Sequence, residues 1–191
     1  MRKIILFTAI LLAGVSVAKA QETNETTTST DAWSMAILKV HLHNFIAITI
    51  NSDDAYVDLE YKTAEDYDGS GVTALKEDHL IVSSLSGFTV KVNSSTTSPL
   101  SDEGIALNQE GTGVKIKAER GTTKGMDGAR TSPITLSLEG ENIIDSDAPS
   151  MNNTFNITYS GEGEGAYKNK YFGDSGPTVY TTNVIYTITS K

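Results

Sequence analysis

The chain has 191 residues, no cysteine and a net charge of −9, from 24 acidic against 15 basic residues. Without cysteine there are no disulfides, thiolate metal sites or cysteine nucleophiles, and an acidic surface repels nucleic acid and anionic lipid. The length suits one domain with a sizeable core, and the charge suits solubility, cation association or neutral partners such as glycans.

Residues 1–20 read as a cleavable export signal. Arg2 and Lys3 form its positive end, residues 4–17 its apolar stretch, and Ala18-Lys19-Ala20 a small-x-small cleavage site. The apolar stretch falls short of the roughly 20 residues of a spanning helix, so the mature chain is expected to carry no transmembrane anchor. Export puts it in the periplasm, on the cell surface or outside the cell. Loss of Arg2, Lys3 and Lys19 with the leader makes the mature chain more acidic still. Residues 21–35 form a flexible polar tether. Its first eleven residues, QETNETTTSTD, contain nothing apolar to bury, while Trp33 and Met35 mark the approach to ordered structure.

Residues 36–191 are expected to form a β-sandwich domain. Its first run alternates strictly, with Leu38, Val40 and Leu42, then Ile46, Ile48 and Ile50, at even positions; Asn44 is the exception. Lys39, His41 and His43 take the polar face, so the side chains follow the two-residue period of an extended chain. The run is about twice the usual strand of roughly 5–6 residues. Either one long strand bends at His43-Asn44-Phe45, or two strands with separate jobs meet there. In the second case residues 36–43 are a donor strand, pairing in a neighbour rather than at home.

Shorter alternating segments follow at Val57-Leu59-Tyr61, residues 79–82, Phe88-Val90-Val92, Val114-Ile116-Ala118, Ile134-Leu136-Leu138, Phe155-Ile157-Tyr159 and residues 180–188. Gly, Ser, Asn, Asp or Pro bound each of them, as they bound strands. No segment holds a 3.6-residue period. The expected fold is therefore all-β, an antiparallel Ig-like sandwich of about eight strands. Among the connections, residues 63–77 and 121–132 are Gly-rich and charged, and residues 160–165 (SGEGEG) read as a flexible acidic loop.

The sharpest local motif is residues 66–77, DYDGSGVTALKE. Asp66, Asp68 and Ser70 supply alternate oxygens, Gly71 takes the turn, Val72 the backbone-carbonyl slot and Glu77 the twelfth position. Such spacing wraps a hard cation, and calcium is the one cofactor it suggests; Ser70 replaces the usual Asp or Asn, and no amphipathic helix flanks the loop. His41 and His43 share a strand face but lack a third ligand. Gly173-Asp174-Ser175-Gly176-Pro177 looks like a serine-protease nucleophile turn with one Gly missing. It has neither a matching histidine segment nor enough following chain, and reads as a Gly-Pro turn feeding the last strand. Asn24, Asn93, Asn152 and Asn156 lie in N-x-Ser/Thr sequons, as chance allows in a Thr/Ser-rich chain. With no nucleophile–base set, no enzyme is expected.

The strand patterns together resemble small exported pilin-like β-sandwich proteins of Bacteroidetes-type bacteria. The resemblance rests on Leu38-Lys39-Val40-His41-Leu42, residues 46–50, residues 67–80, Gly87-Phe88-Thr89-Val90-Lys91-Val92, residues 155–160, Asn169-Lys170-Tyr171 and residues 180–189. It implies a cysteine-free fimbrial subunit, structural and adhesive, that assembles by strand addition. Leu38, Val40 and Leu42 would be the inserted knobs, and Val184, Tyr186 and Ile188 the receiving ladder. The chain departs from that pattern at Ser190, where such subunits carry a penultimate aromatic. The implied partners are copies of itself or related subunits. The alternative is a soluble module binding glycan, cell wall or calcium.

Overall fold

A computed structural model describes residues 33–51, 55–95, 107, 111–173 and 176–191. The segment expected to be an export signal, most of the expected tether, and Asp174 and Ser175 of the expected Gly-Pro turn lie outside the described residues. Two compact units are distinguished, Met1–His41 and Leu42–Lys191. In the first, residues 33–41 form neither helix nor strand and are exposed throughout.

The second unit is an all-β sandwich with nine strands among the described residues: β1 (Ile46–Ile50), β2 (Thr73–Ser84), β3 (Phe88–Ser94), β4 (Lys115–Arg120), β5 (Arg130–Thr131), β6 (Ile134–Thr135), β7 (Glu141–Ser146), β8 (Ser150–Ser160) and β9 (Val184–Ser190). They form a five-stranded sheet in the order β1-β2-β8-β4-β6 and a four-stranded sheet in the order β5-β7-β3-β9. Every ladder is antiparallel. One helix, α1 (Ala64–Asp68), is described, and none among the described residues is long and apolar enough to cross a membrane.

Period-two patterning decides which side chains meet. In the larger sheet Leu80 faces Phe155, Ile116 faces Tyr159 and Ala118 faces Ile157 across the ladders, and all six are buried. From the smaller sheet Phe88, Val90 and Val92 of β3 close the core, flanked by Ile143 and Ile144 of β7. Removing each such aliphatic or aromatic side chain from water contributes roughly 1.5–3 kcal/mol. This core holds the two sheets together without any cross-link.

Several sequence expectations change on folding. The long opening run yields a strand only in its second half, β1, which pairs with β2 from Ile46↔Ser84 to Ile50↔Leu80. Strand β7 follows no clean alternation, because Ile143 and Ile144 are adjacent and both buried. A register shift opposite Val90 and Lys91 of β3 allows this. Strand β2 carries a bulge between Lys76 and Leu80, where Asp78 sits at φ 49°. The Asp78 carboxylate accepts from the backbone N–H groups of Thr122 (2.7 Å) and Thr123 (3.0 Å), and its own N–H donates to Asn156 Oδ1 at 2.7 Å. Those hydrogen bonds pull the Asp78 carboxyl below its ordinary range, the side-chain bond from Thr123 being the largest cause. Past the bulge the alternation is reset, so His79 and Leu80 both turn inward.

Candidate functional site

Where β1 ends, the chain leaves the sheet but stays extended. Val57, Leu59 and Tyr61 are half-buried, alternating with exposed Tyr56, Asp58, Glu60 and Lys62, and Val57 and Leu59 pack on the core. The alternation expected at Val57-Leu59-Tyr61 is thus present without a ladder. The last strand shows the same feature. Thr178, Tyr180 and Thr182 continue the inward stripe of Val184, Tyr186 and Ile188, yet the ladder with β3 begins only at Ser94↔Val184.

These two extended stretches line a cleft of about 850 Å³, and all eight tyrosines of the chain line it. At one end Tyr61 packs against Tyr67 (ring centroids 5.2 Å apart) and edge-on against Tyr167 (5.0 Å, 80°). Tyr159 and Tyr186 reach it from β8 and β9, with buried His79 beside them. Tyr56, Tyr171 and Tyr180 line the remainder.

The tyrosine cluster depends on a backbone-to-backbone contact. Residues 160–165, expected to be a flexible acidic loop, are pinned. Gly161 N donates to Val72 O (2.9 Å), Glu164 N to Gly69 O (3.0 Å) and Gly165 N to Tyr67 O (2.8 Å). A Cβ on Gly163 would collide with Gly69 O and Gly71 N, and one on Gly71, at φ +81°, with Gly161 O. Only glycine lets the two loops approach this closely. Tyr61 then donates its hydroxyl to Glu162 O at 2.6 Å, and Tyr167 to Thr112 O at 3.0 Å.

Elsewhere in the cleft a hydrogen-bonded chain runs from His79 Nε2 to the Tyr159 hydroxyl (2.9 Å) and on to the Tyr186 hydroxyl (2.6 Å). Burial pushes the Tyr159 phenol up to about 12. It raises Tyr186 further, where burial is reinforced by the neighbouring Tyr159. Tyr61 and Tyr167 are raised as well, again chiefly by burial. Tyr67 donates to Tyr61 O, Tyr171 to Gly176 O and Tyr180 to Lys170 O. The phenols are therefore mostly engaged with the protein, and they offer ring surface rather than free hydroxyls.

The sequence-predicted site residues distribute as follows. Val184, Tyr186 and Ile188 lie on the inward face of β9, half-buried on the core, opposite Ser94, Val92 and Val90 of β3. Strand β9 is an edge strand, with β3 its one neighbour among the described residues. Leu38, Val40 and Leu42 are 88%, 73% and 89% exposed, and Trp33, Met35 and Ile37 before them are equally open. His41 and His43 are exposed beside them.

The stretch read as one oxygen-lined loop becomes a helix, a turn and a strand. Thr63 caps α1, and Asp66 closes the capping box by accepting from Lys62 N and Thr63 N at 2.8 and 2.7 Å. Those two backbone bonds hold the Asp66 carboxyl below the usual carboxylate range. Asp68 forms an ion pair with Lys168, Ser70 and Val72 belong to the glycine contact, and Glu77 lies on β2. Among the described residues no group of three or more His, Asp or Glu side chains could hold a metal ion.

Of the residues that line the cleft, the sequence singles out Val184 and Tyr186 alone as site residues. The usable signal was the tyrosine content itself, since phenols with one apolar and one polar end favour half-buried surfaces. Compared with known proteins, the chain matches no family model, no curated protein and no solved structure.

Proposed function

We propose that this protein is an exported, non-enzymatic structural subunit of the cell surface, fimbria-like and adhesive, that assembles by β-strand addition through residues 36–43. The observation that carries the reading is the exposed apolar stripe of Leu38, Val40 and Leu42, which forms no ladder among the described residues. Soluble monomers rarely leave so much contiguous apolar surface in water. A segment of alternating aliphatic residues is suited to lie against a sheet edge, where main-chain hydrogen bonds give affinity and alternate side chains give specificity. The leader in residues 1–20 and the polar stretch that follows fit export and a tethered donor.

The test is assembly of the mature chain beginning at Gln21. Sedimentation velocity over a hundredfold concentration range, about the span needed to bracket a micromolar association, is expected to show growing oligomers. Deleting residues 21–43 is expected to leave a cooperatively melting monomer that binds a synthetic peptide of residues 36–43. A full-length mature chain that stays monomeric throughout and ignores the peptide would remove this reading. Function would then pass to a soluble binding module.

A further inference from the structure

We infer that the tyrosine-lined cleft is the acceptor for the strand of a second copy, with residues 36–43 lying between the stretches 55–60 and 178–181. This rests on the assembly reading above and deepens it. The resemblance points to Val184, Tyr186 and Ile188 of β9 as the receiving ladder, whereas the cleft takes in Val184 and Tyr186 but not Ile188. It extends away from the laddered part of β9.

Three observations select an extended polypeptide as the occupant. First, the main-chain groups of residues 55–60 and 178–181 enter no hydrogen bond among the described residues, although both stretches alternate as strands do. Extended backbone with unpaired N–H and C=O groups is the surface that another extended backbone completes. Second, the tyrosine hydroxyls at the Tyr61 cluster, in the His79 chain and at Tyr171 and Tyr180 are already bonded within the protein. The cleft therefore offers ring faces to apolar side chains and few free hydroxyls to a sugar. Third, the dimensions and charge agree. At about 3.3 Å per residue, six wall residues span roughly 20 Å, enough for the five residues from Leu38 to Leu42. Asp58 belongs to the cleft wall on the exposed, outward side of its stretch, and its carboxylate makes no ion pair among the described residues. Lys39, His41 and His43 lie on the opposite face of the incoming strand from its apolar knobs, placed to meet that carboxylate.

The complete absence of cysteine makes the test direct. An H41C variant of the mature chain, its cysteine on the polar face of the donor strand, is mixed with a V179C variant, whose Val179 is 61% exposed at the cleft and points outward between Thr178 and Tyr180. A parallel mixture uses T187C, on the ladder of β9 with β3. Each mixture is oxidised mildly and the covalent heterodimer is quantified. Cross-linking of H41C to V179C is expected to exceed that to T187C by about tenfold. In unmodified protein, Val179→Arg is expected to weaken association by about tenfold, the loss typical of one well-placed interface side chain, with the melting temperature unchanged. Preferential cross-linking to T187C would overturn the cleft as acceptor while leaving assembly by strand addition intact. Absence of heterodimer in both mixtures, together with a monomer in sedimentation, would overturn both. A monomer in which cellohexaose shields V179C from alkylation would overturn the inference in favour of a sugar site.

Discussion

Replacing Leu38, Val40 and Leu42 together by Ser separates a strand that acts in another molecule from one that completes its own sheet. In the folded chain the three side chains are almost fully exposed, so each exchange removes no native contact. Surface changes of this kind shift unfolding free energy by about 0.5 kcal/mol or less. Urea melts of the mature triple variant and of the parent, at a concentration where both are monomeric, are therefore expected to share a midpoint and slope. Association should respond very differently. If all three side chains become buried in a neighbour, each contributes roughly 1.5–3 kcal/mol, so their sum approaches about 5–8 kcal/mol and the association constant falls by about four to six powers of ten. Leu80→Ala supplies the internal standard. Leu80 is fully buried opposite Phe155, and its truncation should cost about 2–5 kcal/mol in the same melt. A triple variant whose monomer loses stability on the scale of Leu80→Ala would refute the reasoning, because it would place the stripe inside its own domain.

Other expectations follow from the cleft and its supports. Gly71→Ala forces a side chain into left-handed backbone against the Gly161 carbonyl and should cost at least about 1–2 kcal/mol, with loss of near-ultraviolet tyrosine dichroism; an unchanged melt and spectrum would show that the loop contact is not tight. Tyr159 holds its proton up to about pH 12 when folded, while an unfolded tyrosine releases it near pH 10. Its contribution to stability is thus complete below pH 10 and is lost as pH rises towards 12, on the order of 2–3 kcal/mol; absorbance at 295 nm should show most tyrosines ionising only with unfolding, and eight phenols titrating together near pH 10 would contradict the burial described. Asp147 is drawn down to about 2 by hydrogen bonds from Arg130 and Lys191, and Asp145 is lowered by the same partners. The anchoring of β9 by Lys191 should therefore persist above about pH 4 and weaken as pH falls towards 2, read as faster amide exchange in residues 184–190. Millimolar calcium is expected to leave the melting temperature of both the parent and the Asp66→Ala, Glu77→Ala variant unmoved; a calcium-dependent rise abolished by the substitutions would restore the cation site.

The sequence by itself determined the all-β sandwich, because alternation is a local property: successive side chains of an extended backbone point to opposite sides whatever the rest of the chain does. The stripes of β1, β3, β4, β8 and β9 were legible for that reason, as was the break at His43-Asn44-Phe45. Tertiary structure decided what local pattern cannot encode. The stretch at Val57, Leu59 and Tyr61 alternates like a strand, yet whether it joins a sheet depends on a partner distant in sequence, and among the described residues it enters no ladder. Two register shifts, at Asp78 and opposite Val90, turned His79 inward and buried both Ile143 and Ile144; each requires the facing strand to be in place. The acidic loop of residues 160–165 looked free because its glycines suggest flexibility, and it is fixed because those same glycines admit another backbone. The tyrosines, spread from Tyr56 to Tyr186, share no motif. They form one cleft because sheet pairing and the glycine contact bring distant segments together, and that pairing is a property of the whole fold rather than of any stretch of chain.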